Sequence, residues 1–272
     1  MSETLLSPPV HGRRDPARGR RALRALSSAL IVLGALALLD VGVTLVWQEP
    51  FSALYATLQQ DHLRGALHEL EHAKPTAREN ARLLELADER GRVAFLASEL
   101  ARHAALGSAV GSIRIPRIGA DFVLVYGTGT EELERGPGIY TQSSYPGTRF
   151  PGLGGTTAIA GHRTTFLAPF RHIDELRRGD RIVVDMPYAH FLYTVIGHRS
   201  VLPSDVASAI RHAGYSRLVL SACTPLFSAA ERLLVYARLT KTTPGGAALA
   251  PHRLTRRSPP PPLQAPLPRL QG

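Results

Sequence analysis

Between Ala25 and Trp47 the chain runs apolar for 23 residues, broken only by Asp40 and a few small or hydroxylated residues. A helix of that length crosses a hydrocarbon core of about 30 Å, so the segment reads as a transmembrane helix. A buried core helix fits the flanks less well. Arg13, Arg14, Arg18, Arg20, Arg21 and Arg24 precede the run, and Trp47 stands at its far end, where a membrane interface favours an aromatic. A cleaved signal peptide is disfavoured by the length of the apolar region, by Asp40 late within it and by the lack of an Ala-x-Ala-type site before Gln48. The positive-inside rule places the arginines in the cytoplasm and residues 48–272 outside the cell membrane. Asp40 then lies toward the outer end, where it reaches water.

The formal charge of +10 suggests a polyanion partner until it is located. Residues 1–24 hold six arginines against Glu3 and Asp15, and residues 241–272 hold five basic residues and no acid. Residues 25–240 are close to neutral, with 21 basic and 20 acidic side chains. Bulk charge therefore gives the folded part no nucleic-acid face. Cys223 is the single cysteine, which excludes an internal disulfide and a zinc site built from cysteine pairs.

Beyond the span, Leu83, Leu86, Val93, Leu96 and Leu100 recur at helical spacing with charges on the other faces. Pro75 divides the region into two helices, read as a stalk over residues 48–107. From Ser108 the texture changes to short β-type runs separated by Gly and Pro. These are Gly111–Ile115, Asp121–Tyr126, Thr156–Ala160, Arg181–Asp185, Phe191–Ile196, Arg217–Ser221 and Arg232–Leu239. Seven or eight strands in about 130 residues imply an all-β barrel or sandwich, with short helices expected at Ala168–Arg178 and Pro203–His212. The organisation expected is a basic tail over 1–24, a transmembrane helix over 25–47, the stalk, a β domain over 108–240 and a disordered Pro-rich tail over 241–272.

Three residues carry reactive chemistry in informative positions. Cys223 ends a β-type run that Thr224-Pro225 terminates, and Arg232 begins the next run, so a hairpin would set a guanidinium beside the thiol. His162 leaves another strand at Gly161-His162-Arg163-Thr164. Cysteine, histidine and arginine together suit acyl transfer. A thiolate is the nucleophile, an imidazole protonates a departing amine, and an arginine fork holds an oxyanion or a substrate carbonyl. Alternation leaves Arg232 and Arg238 on one face, so pattern alone does not separate them.

The set Ala158-Ile159-Ala160-Gly161-His162-Arg163-Thr164-Thr165, then Cys223-Thr224-Pro225 and Arg232-Leu233-Leu234-Val235, resembles the sortases, membrane-anchored cysteine transpeptidases of Gram-positive bacteria. Arg114-Ile115-Pro116-Arg117-Ile118-Gly119, Gly136-Pro137-Gly138-Ile139-Tyr140, Ala168-Pro169-Phe170 and Gly179-Asp180 support it in the right order. The resemblance covers about residues 108–239 and is most like the class E, actinobacterial housekeeping group. It implies an eight-stranded β-barrel and no metal or organic cofactor. It also implies cleavage of a Leu-Pro-x-Thr-Gly or Leu-Ala-x-Thr-Gly sorting signal of surface proteins between threonine and glycine. By the same resemblance Cys223 is the nucleophile, His162 the acid, and Arg232, rather than Arg238, the oxyanion and substrate holder, because the family arginine directly precedes the apolar run. The acceptor is an amine of a peptidoglycan precursor or a pilin lysine.

Two departures mark this chain. Val219-Leu220-Ser221-Ala222-Cys223 lacks the hydroxyl that the family's Thr-Leu-x-Thr-Cys carries before cysteine, and the stretch between Tyr140 and Thr156 is longer, with Ser143, Ser144 and Tyr145 added. They motivate the rival reading of a non-catalytic, membrane-tethered peptide-binding module. A pilin-polymerising, class C-like enzyme is the alternative within the family. A different exported cysteine enzyme, such as a cell-wall peptidase, fits the order of His and Cys less well.

Overall fold

A computed structural model of the chain describes residues 16–46, 50–211 and 213–249. The expected basic tail up to residue 15, Trp47 and the Pro-rich tail from 250 onward lie outside the described residues. The chain divides into two units, residues 1–48 and 49–272. In the first, α1 (Pro16–Val46) is one continuous helix. Its stretch Leu23–Val43 is long and apolar enough to cross a membrane, with a mean hydropathy of 2.2 and exposed Leu30, Ile31, Leu33 and Leu36.

The second unit opens with α2 (Pro50–His72), α3 (Ala77–Glu85) and α4 (Glu89–His103). Three helices stand where two are expected, because side chains restart the helix twice. Thr76 and Glu79 form a reciprocal capping box after Pro75, and the Asp88 carboxylate accepts the Gly91 amide at the head of α4.

Eight strands follow: β1 (Ala109–Ile115), β2 (Ala120–Tyr126), β3 (Gly138–Ile139), β4 (Thr156–Ala160), β5 (Arg181–Met186), β6 (Ala189–Val201), β7 (Arg217–Thr224) and β8 (Glu231–Pro244). Helix α5 (Thr130–Arg135) precedes β3, and α6 (Val206–Ala209) lies between β6 and β7. The strands close into a barrel in the order β1-β2-β3-β4-β7-β8-β6-β5. The expected eight-stranded barrel is therefore present. Alternation sends Ile159, Leu218, Leu220, Ala222, Leu233 and Val235 inward to the main core with Phe170, Phe191 and Ile182. The opposite faces of the same strands, Ala158, Ala160, Val219 and Leu234, pack outside the barrel with Tyr140, Val201, Val206 and Ile210.

Three expectations change. The helices over 48–107 do not stand off the domain as a stalk: Leu63 and Leu67 of α2 bury against Ala109, Val123 and Val125, and Val93 and Ala97 of α4 join the main core. An apolar stripe on a helix calls for a partner, and here the barrel is that partner. β8 continues to Pro244, beyond the expected end at 240, and Ala248 is buried. The helix expected over 168–178 is reduced to a single 3-10 turn, Ile173–Glu175, with Phe170, Ile173 and Leu176 all buried by the surrounding turns.

Candidate active site

Parallel pairing of β4 with β7 sets Ala160 beside Ser221, and the Gly161 amide donates to the Ser221 carbonyl at 3.1 Å. The two chains therefore leave the barrel at the same end, one toward His162 and the other toward Cys223. A Cβ on Gly161 would lie 2.7 Å from the Phe170 ring, so only glycine lets the chain pass that close. Antiparallel pairing of β7 with β8 then makes Cys223 and Arg232 direct cross-strand partners. Residues so paired share a face, with Cβ atoms about 5 Å apart. Arg238 pairs with Arg217 at the other end of the ladder, and its guanidinium lies 4.4 Å from the Tyr215 ring centre. The register thus separates two arginines that sequence pattern left equivalent.

These side chains sit on the outer face of the barrel, continuous with the cluster around Tyr140, Val201 and Val206. Cys223 is a free thiol, half-buried at the strand end. Arg232 is half-buried, and its Nη1 donates to the carbonyls of Ala229 at 2.9 Å and Glu231 at 3.1 Å in the turn between β7 and β8. Beside them, buried Tyr140 bonds Ser221 through its phenol and packs edge-on against Tyr145, ring centres 4.5 Å apart. Burial pushes the Tyr140 hydroxyl above its ordinary range, against the opposing pull of the Ser221 bond, so it remains neutral. The longer segment after Tyr140 is tied down locally. The Ser144 amide donates to Thr141 Oγ1, and the Thr148 hydroxyl donates to the Tyr145 carbonyl. Tyr140 lies within electrostatic reach of Cys223 because β3 meets β4 and β4 meets β7, a placement that no local sequence pattern shows.

The histidine loop is tightly folded. The His162 carbonyl accepts the Phe170 amide at 3.0 Å, and Phe166, Leu167 and Ala168 occupy successive left-handed conformations with φ of 50°, 63° and 43°. For three non-glycine residues in a row this is strain that surrounding contacts must hold. Phe166 supplies one contact, with its ring 5.3 Å from the His162 ring, and α2 supplies others. Tyr55 meets Phe166 edge-on at 6.4 Å, and Ser52 Oγ accepts the Phe166 amide at 3.4 Å. Burial lowers the His162 pKa below its usual 6.5, partly offset by the Glu134 carboxylate, so the neutral ring is favoured. Its Nε2 is buried and has no protein partner among the described residues. Among those residues no cluster of three His, Cys, Asp or Glu side chains is suited to a metal ion.

The sortase-domain family model matches residues 113–240. Over those residues the chain is similar to the sortase family. Family members are cysteine transpeptidases. The chain is 30% identical over 135 residues to Sortase D of Bacillus subtilis, covering 48% of this chain and 64% of that protein. It is 26% identical over 151 residues to Sortase SrtE1 of Streptomyces coelicolor, covering 51% of this chain and 42% of that one. The chain therefore spans less than two thirds of the length of these curated relatives. The crystal structure of sortase C from Clostridium perfringens shares the fold, with a TM-score of 0.51 at 20% identity, covering 66% of this chain and 99% of that one.

Proposed function

We propose that this chain is a membrane-anchored cysteine transpeptidase of the sortase family with His162, Cys223 and Arg232 as its catalytic residues. The observation that carries the reading is the cross-strand pairing of Cys223 with Arg232 at the barrel end where β4 delivers His162. The Cys223 thiol passes its proton to the neutral His162 ring as its sulfur bonds to the threonine carbonyl carbon of a sorting signal, and the bond to the glycine nitrogen breaks as that amine takes the same proton from His162. Arg232 turns its fork from the Ala229 and Glu231 carbonyls toward the substrate carbonyl and oxyanion. An acceptor amine then attacks the thioester and releases the thiol. The substrates in this reading are surface proteins with Leu-Pro-x-Thr-Gly or Leu-Ala-x-Thr-Gly signals, and the acceptor is a cell-wall precursor amine or a pilin lysine. Similarity to SrtE1 supports a class E role, and similarity to Sortase D sets a class D role beside it. In the cell α1 anchors the protein, with its arginine-flanked end inside and the barrel outside.

The test is a motif-library assay on residues 49–272, which form one compact unit, with glycine-type amines as acceptors. The expected result is cleavage between threonine and glycine, a product joined to the amine, and an acyl adduct on Cys223 in intact-mass spectra. Cys223→Ala abolishes all three. Failure of every motif to acylate Cys223, in a protein that is folded, overturns the reading.

A further inference from the structure

Arg163, next in sequence to His162, does not follow the imidazole toward the substrate face. Its side chain is 5% exposed, while that of its ionic partner Asp174 is 56% exposed. All three guanidinium nitrogens are engaged. Nε and Nη2 donate to the Arg171 carbonyl at 3.2 and 3.1 Å, Nη2 meets the Asp174 carboxylate at 2.7 Å, and Nη1 reaches the Cys223 carbonyl at 3.5 Å and Thr224 Oγ1 at 3.4 Å. A charge buried this far costs stability unless its partners are fixed. Here the partners fall into two groups. Arg171 and Asp174 close the histidine loop, and Cys223 and Thr224 end the strand that carries the thiol. One planar fork therefore spans the two arms of the site from behind, touching neither the sulfur nor the imidazole.

We propose that Arg163 is a positioning residue that fixes the placement of His162 relative to Cys223 by clamping the histidine loop to the end of β7, with Asp174 orienting the clamp. The inference rests on the transpeptidase reading above and adds a part to it. Lysine cannot replace the fork, because a single ammonium cannot hold both arms in one plane. With the clamp lost, the imidazole drifts from the departing amine. A step that needs its proton then slows, while attack on an acyl group whose leaving group departs without a proton is spared.

The experiment compares two substrates on residues 49–272: a sorting peptide with its threonine-glycine amide bond, and the same peptide ending in a thioester of an acidic thiol. In Arg163→Lys, kcat for the amide falls roughly 30-fold or more with KM little changed, the magnitude expected for a misplaced acid, while turnover of the thioester falls less than about threefold. Asp174→Asn, at a half-exposed position that tolerates change, gives a smaller loss with the same ratio and serves if Arg163→Lys does not fold. Equal losses on both substrates, or none on either, in an otherwise active enzyme overturn the inference alone. No acylation of the wild-type protein by either substrate overturns the transpeptidase reading and this inference with it.

Discussion

At His162 the imidazole is held half-buried, with the Phe166 ring beside it and the neutral form favoured. Its folded pKa lies below the unfolded value of 6.5, so its contribution to stability is fully present above that value and is lost as pH falls through the folded pKa. His162→Gln should therefore gain stability relative to the parent as pH drops from 7.5 to 5.5. Urea midpoints at the two pH values check this, and a constant difference between the two proteins refutes it. Tyr140→Phe leaves the Ser221 hydroxyl without its partner in a buried setting, at a cost of about 1–2 kcal/mol. In the transpeptidase reading it also lowers kcat/KM for the sorting peptide, because Tyr140 lies within electrostatic reach of Cys223 and Arg232. In the sequence His162, Cys223 and Arg232 stand where β-type runs stop or start, a weak signal for each alone, and the sortase resemblance is what groups them and prefers Arg232 to Arg238. Arg163 was visible only as a neighbour of His162. Its role depends on Asp174 and Thr224, 11 and 61 residues away in the chain, which no local pattern brings together.

The longer strands could be placed as short β-type runs bounded by Gly and Pro, with β4 and β7 buried almost continuously along their length. β3 could not: two residues have no period. The outer ends of β6 and β8 were also missed, because His198, Arg199 and Ser200 and then Lys241, Thr242 and Thr243 are exposed and polar, and backbone pairing alone keeps them in the sheet. The helices were recognised by their stripes, yet a stripe does not name its partner. In α2 that partner is partly polar. Buried Gln60 accepts the Val123 amide at 2.8 Å and donates to the Val123 carbonyl at 3.1 Å and the Arg135 carbonyl at 2.8 Å. Gln60→Leu leaves the Val123 amide and carbonyl buried and unpaired, and should cost about 2–4 kcal/mol in denaturant unfolding. One turn earlier, Tyr55→Ala removes a ring that braces Phe166. It should raise amide exchange through residues 162–170 while the β7 and β8 amides stay protected, and an unchanged loop would show that α2 does not hold it.

As a whole, the molecule has a first unit that carries the long apolar helix α1 and a second whose core draws on α2 and α4 as well as on the barrel. The family match begins at Ile113, and the fold begins earlier, near residue 50. Residues 50–249 should unfold in one cooperative transition, and Leu63→Ala should lower its midpoint by an amount corresponding to about 2–4 kcal/mol. The Gln60 amide has a consequence at this scale. A side chain that offers both a donor and an acceptor to Val123 takes the place a neighbouring strand would otherwise fill, along the part of β2 that two-residue β3 leaves uncovered. Cut at residue 108, the domain keeps every strand and loses that substitute, so β2 presents an open row of backbone groups able to template strand addition from another copy. Such a truncated protein should self-associate with concentration by light scattering, whereas residues 50–249 stay monomeric.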